Sequence, residues 1–372
     1  MNSSSLLIPN LPFCIGASLT SNNPSGLPST YPFQLELNRS LCRLEQSVNK
    51  ELESLLEKAY LVGNEMGTPS DDTNLGRPYV DDFISFVSKF SSHSGSLLEI
   101  GAGTGFLSKR LSEEGWTVTS IEPGTGYQPQ WISNDVDVIN DFFPSAEISG
   151  QFDVIVFYTV LEHIKDTKSF LTDVKNYLKP NGYIFLAVPD CTLEISNCDA
   201  SILLHEHFHY FTKHSLLNTL IESGLTGKVY PSEYGRCLYA VAQISLEVQI
   251  PQVSNIHLVE YSDYISGILK AQSKLSSMFN NWLNKGQLGI FCPSRLLNLM
   301  SPDNDFLFYD DSPALHGKFY PPFSSQVRSR ADLFIDKPDK ILIASRTFGS
   351  KIKTDLLNSG LNSDIILISD LL

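Results

Sequence analysis

Positive charge is scarce in this sequence: 27 Lys and Arg stand against 41 Asp and Glu in 372 residues, a formal net charge of -14. That balance excludes the broad basic surface that a nucleic-acid backbone or an anionic membrane attracts, although a local pocket can still take a small anion. Charged residues of both signs amount to only 18%, below the roughly 25% of an ordinary soluble protein. Paired cysteines are missing too. Six occur, Cys14, Cys42, Cys191, Cys198, Cys237 and Cys292, and no two are spaced C-x2-C, so no zinc knuckle can be read directly. Few and scattered, they fit reduced thiols and a cytoplasmic location. No stretch approaches the ~18 uninterrupted apolar residues of a membrane span. The start, MNSSSLLIPNLPF, has no basic region, and Pro9 and Pro12 break its apolar run, which makes a poor signal peptide.

What remains is a chain rich in core material. Apolar residues make up 42%, with 22 Phe and 15 Tyr, and at ~150 residues per domain the length gives two or three domains. Residues 1 to about 40, rich in Ser, Asn and Pro, read as loop with short strands. Leu44, Val48, Leu52, Leu55 and Leu56 recur at helical spacing and predict a helix over 43–60. A polar stretch from Gly67 to Arg77 reads as a linker, and a second amphipathic segment runs over 80–90. Then strand and helix alternate: strands at 96–100, 117–121, 135–139, 153–158 and 183–188, and helices at 105–114, 166–178 and 214–224. Two strands with no helix between them, 227–230 and 238–244, predict a hairpin closing a mostly parallel sheet. A helix over 255–284 follows. Strand candidates at 288–291, 306–310, 341–344 and 364–369 make a second, smaller α/β unit.

The motif with the most chemistry in it is Leu98-Glu99-Ile100-Gly101-Ala102-Gly103-Thr104-Gly105-Phe106, a strand running into a glycine turn that opens a helix. Glycines permit positive φ and close approach of a ligand to the backbone. A dinucleotide fingerprint wants a small residue where Phe106 stands, so pyrophosphate fits poorly. The pattern E-x-G-x-G-x-G resembles instead the S-adenosyl-L-methionine (AdoMet) loop of class I methyltransferases. That resemblance places Glu99, Gly101, Gly103 and Gly105 at the methionine part of the cofactor. Glu122, ending the next strand, can accept hydrogen bonds from both ribose hydroxyls. Asn140, Asp141 and Phe142, ending the third strand, would border the adenine, and Tyr158 and Thr159, ending the fourth, would lie near the sulfonium.

Five of eight histidines fall between 163 and 214. His163 sits in VLEHIKD after the fourth strand; His205, Glu206, His207 and His209 sit in LLHEHFHYF after the fifth. Ligands bind at the carboxyl ends of strands in open α/β sheets, so both segments lie near the cofactor site. His205-Glu206-His207-Phe208-His209 matches the H-E-x-x-H zinc-protease pattern. Here it falls in a loop before a helix capped by Thr212, so no metal is expected at these histidines. Acid–base chemistry suits them better, because a neutral imidazole can take a proton near pH 7 and an adjacent carboxylate can orient it.

Leu204-His205-Glu206-His207-Phe208-His209-Tyr210-Phe211 is similar to the Y-H-E-H-x-x-Y-F motif of the sugar C-methyltransferases of deoxysugar pathways, and VLEHIKD is similar to their preceding histidine motif. By that resemblance His207 is the general base, with Glu206 and His163 as its active-site companions. YPFQLELNRSLCRLEQ (31–46) resembles the end of the family's N-terminal zinc module, Gly235-Arg236-Cys237-Leu238 the segment before its last strand, and Tyr309-Asp310-Asp311-Ser312-Pro313 with His316-Gly317-Lys318 its C-terminal Rossmann-like domain. Tyr60 matches a further family tyrosine near the substrate. Only Cys42 falls on a zinc-ligand position, with Arg39 at its partner position, so zinc is expected to be absent. Leu204 stands where the family has a substrate-site tyrosine, which loosens the inference about substrate. Cys292-Pro293-Ser294-Arg295 lacks glycine, so the C-terminal unit should bind no second nucleotide.

The expected fold is α/β: a Rossmann-like AdoMet methyltransferase sheet (79–248) between an N-terminal module (1–78) and, beyond a helical linker (249–284), a second Rossmann-like domain (285–372). The expected function is AdoMet-dependent C-methylation of a keto sugar carried on a nucleotide. O- or N-methylation of a sugar or other small metabolite, and a non-catalytic AdoMet-binding or assembly role, are the alternatives. The expected partner is a small-molecule acceptor, with the chain a monomer or homodimer.

Overall fold

The computed structural model describes residues 4–13, 16–22, 26–61, 76–92, 94–124 and 136–371. Cys14 and all but the last two residues of the linker expected at 67–77 lie outside them, as does the side chain of Tyr60. The chain forms two compact units, one of residues 36–192 and 206–258, the other of residues 1–35, 193–205 and 259–372.

The first unit is built on seven strands: β1 (Ser96–Ile100), β2 (Thr117–Ile121), β3 (Val136–Ile139), β4 (Phe152–Tyr158), β5 (Leu178–Pro189), β6 (Leu225–Pro231) and β7 (Cys237–Ile244). They lie in the order 3-2-1-4-5-7-6. The first five are parallel, and β7 runs antiparallel between β5 and β6, as the missing helix between the last two strands predicts. Helices α1 (Arg77–Ser88), α2 (Phe106–Glu113), α3 (Thr167–Asn176) and α4 (Lys213–Glu222) cover the sheet. Side chains alternate across the strands and so serve two cores. Leu98, Ile100, Ile155, Phe157, Ile184 and Leu186 pack with Phe170, Leu171 and Val174 of α3 and Leu216 and Leu220 of α4. Leu97, Val154, Val156, Phe185 and Tyr239 pack with Val80, Phe83 and Val87 of α1 and Phe106 and Leu111 of α2. Caps fix where the helices begin. Asp166 accepts the amide of Ser169 at 2.9 Å, and Thr212 and Ser215 form the reciprocal box that opens α4.

One sequence expectation in this part of the chain is corrected. Arg43–Gln46 is strand, not the first turn of a helix, and the helix starts only at Lys50. The strand pairs antiparallel with His209–Tyr210, Leu44 opposite Tyr210 and Glu45 opposite His209, so a long-range partner overrides the local helical spacing. The serine- and proline-rich start, expected as loop with short strands, carries two strands of 8 and 9 residues, at Ser5–Pro12 and Thr30–Asn38. In the latter, Phe33, Leu35 and Leu37 are buried in strict alternation.

In the second unit β8 (Leu288–Phe291), β9 (Leu307–Tyr309), β10 (Val327–Arg328), β11 (Lys340–Ile343) and β12 (Asp364–Leu367) form an all-parallel sheet in the order 10-9-8-11-12. It is a Rossmann-like half with helices at Arg330–Asp336 and Gly349–Asn358.

Candidate active site

Strand order reverses between β1 and β4, and the crevice at their carboxyl ends is where an open α/β sheet binds ligands. The loop leaving β1 reaches that crevice through three glycines at positive φ: Gly101 (75°), Gly103 (54°) and Gly105 (83°), the last capping α2. Gly101 is sterically required. A Cβ there would meet Val160 Cγ2 at 2.5 Å, so the loop lies directly against the turn that follows β4. Beneath the loop, Glu99 is 2% exposed and accepts a hydrogen bond from Ser108 of α2. Burial pushes its carboxyl up to about 8. Glu99 therefore ties the loop to the first turns of α2 from inside.

At the end of β2, Glu122 accepts the amide of Gly103 on Oε2 at 2.8 Å and that of Gly124 on Oε1 at 2.7 Å. Each carboxylate oxygen keeps a second lone pair for a ribose hydroxyl. At the end of β3 the Asn140 amide donates to the carbonyls of Glu122 (2.8 Å) and Gly124 (3.2 Å). Asn140 thus shapes the rim through the backbone, and its NH2 is already engaged. Asp141 accepts the amide of Phe142 at 2.8 Å. Phe142 is 53% exposed, an aromatic ring at the crevice with no core to fill. Tyr158 is placed otherwise than expected. Its ring is buried against Phe83 at 5.1 Å, with its hydroxyl 4.0 Å from Cys237 Sγ, so it packs the core rather than facing the sulfonium position. Glycines at positive φ, a carboxylate held by two amides at the end of β2 and an exposed ring just past β3 together fit AdoMet.

The histidines of the two segments fall into two groups. His205 stacks on Phe13 at 5.4 Å and meets Tyr31 and Phe33 edge-on within the second unit. His209 turns Nε2 to the carbonyls of Ile164 (2.9 Å) and Lys165 (3.2 Å) in the first. Burial pushes the two imidazoles down to about 4 and about 3. Both are neutral packing residues, and the segment is turn and strand rather than helix, so the H-E-x-x-H spacing forms no protease site. His214 lies on α4 with Nε2 2.7 Å from the carbonyl of Gln252.

His163 and His207 come together. Their ring centroids are 4.9 Å apart, edge to face. The backbone fixes this pairing: the amide of Phe208 donates to the carbonyl of Glu162 at 2.7 Å, and His163 Nδ1–H donates to the carbonyl of Glu206 at 2.9 Å. That bond sets the tautomer, leaving Nε2 of His163 as the lone-pair nitrogen. Burial pushes His163 down to about 4, so it is neutral at pH 7, and His207 is half-buried. Glu206 is 6% exposed, close enough to Glu162 to disfavour its ionisation. Glu162, on the turn Leu161–His163, is 1% exposed, and burial pushes it up to about 8. Sequence reasoning passed over Glu162, although it directly precedes His163 in the same strand-end turn.

Comparison with known proteins bears on the fold and the cofactor class. Residues 75–228 match a family model described as a methyltransferase domain. Among curated relatives, the ubiquinone biosynthesis O-methyltransferase of Pseudomonas entomophila (strain L48) is 29% identical over 117 residues, covering 29% of this chain and 48% of that protein. The protein of the same name from Escherichia coli O127:H6 (strain E2348/69 / EPEC) is 28% identical over 101 residues, covering 24% and 41%. The chain thus spans about half or less of the length of these relatives. Solved structures similar to it include a DhpI complex with SAH (16% identity, TM-score 0.42, covering 54% of this chain and all of that one). Another is the glycopeptide N-methyltransferase MtfA complexed with AdoMet (14% identity, TM-score 0.36, covering 44% and 93%). By the family match over residues 75–228 and by its own strand order, the middle of this chain is a Rossmann-like methyltransferase domain.

Proposed function

We propose that the protein is an AdoMet-dependent methyltransferase that C-methylates a keto sugar carried on a nucleotide, with His207 as general base. The observation that supports it is the pair His163–His207, clamped by backbone hydrogen bonds to the turn on which the cofactor loop rests. When bound, AdoMet supplies a methyl carbon made electrophilic by its sulfonium. The chain's own residues do the rest. The glycine loop brings backbone amides to the methionine end, Glu122 holds the ribose, and Phe142 lies beside the base. His207 takes the proton next to the ketone, and the C–H electron pair becomes the enolate that attacks the methyl carbon. Alignment of the two reactants carries much of the rate. The acceptor class rests on the resemblance of VLEHIKD and LLHEHFHYF to the sugar C-methyltransferases. O-methylation of a small metabolite uses the same base at a hydroxyl, and the ubiquinone O-methyltransferase relatives favour keeping it as the second reading.

A panel of nucleotide-linked keto sugars and hydroxylated metabolites, incubated with methyl-labelled AdoMet and analysed by mass spectrometry and NMR, tests this. A new C–CH3 resonance supports the first reading, and an O–CH3 product replaces it with the second. His207→Ala is expected to lower turnover at least 100-fold while AdoMet affinity by calorimetry stays within about twofold. Retained turnover removes His207 from the chemistry.

A further inference from the structure

Glu162, His163 and His207 place one donor atom each, a carboxylate oxygen and two imidazole nitrogens, within 4.8 Å of one another. We propose that these three residues bind a divalent transition-metal cation, with open positions for an acceptor that presents adjacent oxygens, such as an enediolate or a hydroxy ketone.

Three observations point to a cation rather than to packing. The first is the donor set. Two imidazoles and a carboxyl group that gives up its proton on binding suit Zn2+, Mn2+ or Co2+, and three protein ligands leave room for substrate, as catalytic sites require. Donors on one ion at ~2.1 Å lie roughly 3–4.2 Å apart, so small side-chain adjustments close the site. The second is Glu162 itself. It is 1% exposed, and its Oε2 is buried with no hydrogen-bond partner among the described residues. A buried carboxyl oxygen left without a partner is costly, and a cation would both meet it and favour the ionised form. Thr159 Oγ1, on the same strand-end segment, is likewise a buried oxygen without a partner among the described residues. The third is the outer support. Metal-bound histidines commonly donate their other ring N–H to a carbonyl or carboxylate. His163 does so to the carbonyl of Glu206 at 2.9 Å, which aims its Nε2 away from that carbonyl. The sequence alone gave no such site, because Glu162 and His207 are 45 positions apart and meet only when the Phe208 amide bonds the Glu162 carbonyl.

The inference rests on the methyl-transfer reading but replaces its base: with His207 as a ligand, a hydroxide from water bound at the cation's open position would take the acceptor's proton. The cation would hold the acceptor's oxygens at the carboxyl end of β4, beside the cofactor loop, and stabilise the negative charge that develops on them. The experiment uses the whole chain after chelator dialysis. Co2+ is titrated by visible spectroscopy and Zn2+ by calorimetry, with AdoMet binding as the check that the fold persists. One saturable cation per chain is expected, weakened at least tenfold in both Glu162→Gln and His207→Ala, with AdoMet affinity within twofold of wild type. Saturable binding that neither substitution weakens, or no saturable binding at all, overturns the site. Turnover separates the two readings. Full activity after chelation, lost in His207→Ala, overturns the cation and leaves His207 as base. Activity lost on chelation and restored by the cation supports the site. Failure to bind AdoMet at all overturns methyl transfer itself.

Discussion

One hydrogen atom at Gly101 separates a loop that closes from one that cannot. Its φ of 75° costs an L-residue about 1–2 kcal/mol, and a Cβ would also strike Val160 Cγ2 at 2.5 Å. Gly101→Ala is therefore expected to lower stability by more than that strain alone and to weaken AdoMet binding at least tenfold, read by denaturant melts and calorimetry. Glu99 makes a different prediction. Its folded-state value is near 8 against the usual 4.5, mainly through burial, opposed by the Ser108 hydrogen bond and reinforced by Glu122. Between those values the native state holds a proton that the unfolded chain has released. Stability from this group is thus full below about pH 4.5, declines as pH rises, and levels off above about 8. Glu99→Gln should flatten that decline, measured as the urea midpoint at steps from pH 5 to 8. An unchanged slope would mean that other groups produce it.

Among the elements, the strand Arg43–Gln46 shows what a sequence can and cannot reveal. β1, β2, β4 and β5 were legible because buried parallel strands are short apolar runs bounded by turns. The glycine loop was legible because three glycines in five positions at a strand end mark a turn with positive φ and close approach of a ligand. Arg43–Gln46 was not, because Leu44, Val48 and Leu52 repeat at helical spacing and its partner strand is His209–Tyr210, more than 160 positions away. A separation of 45 positions hid the meeting of Glu162 with His207. Arg43 anchors that strand. It is 4% exposed, pairs with Glu45 at 2.6 Å, donates to Thr219 Oγ1 at 2.7 Å and lies over the Phe211 ring at 5.6 Å. Breaking a wholly buried ion pair costs ~3–5 kcal/mol. Because Glu45 is 26% exposed, Arg43→Ala is expected to cost about 2–3 kcal/mol, seen as a lower thermal midpoint. Loss of the strand should also shift the His209 resonances, which a change confined to the surface would leave in place.

For the whole molecule, two Rossmann-like sheets raise the question of two cofactors. The turn after β8 answers it physically. Where β1 is followed by three glycines, β8 is followed by Cys292 at φ 59° and Pro293, with Asp310 and Asp311 after β9 and Arg330 held by both oxygens of Asp311. Pro293 has no N–H, so this turn offers fewer of the open amides that a phosphate or a carboxylate needs. Titration calorimetry should accordingly find a single AdoMet per chain, and a second equivalent would show that β8 has its own ligand. The unit boundaries carry a last consequence. One of them falls between His205 and Glu206, so the run His205-Glu206-His207, read as one motif, is a crossing point of the chain. Anyone grafting this methyltransferase domain into a relative to exchange acceptor preference must therefore make four joins, at 35/36, 192/193, 205/206 and 258/259. The third cuts the motif itself, leaving His205 with the recipient and carrying Glu206 and His207 with the donor.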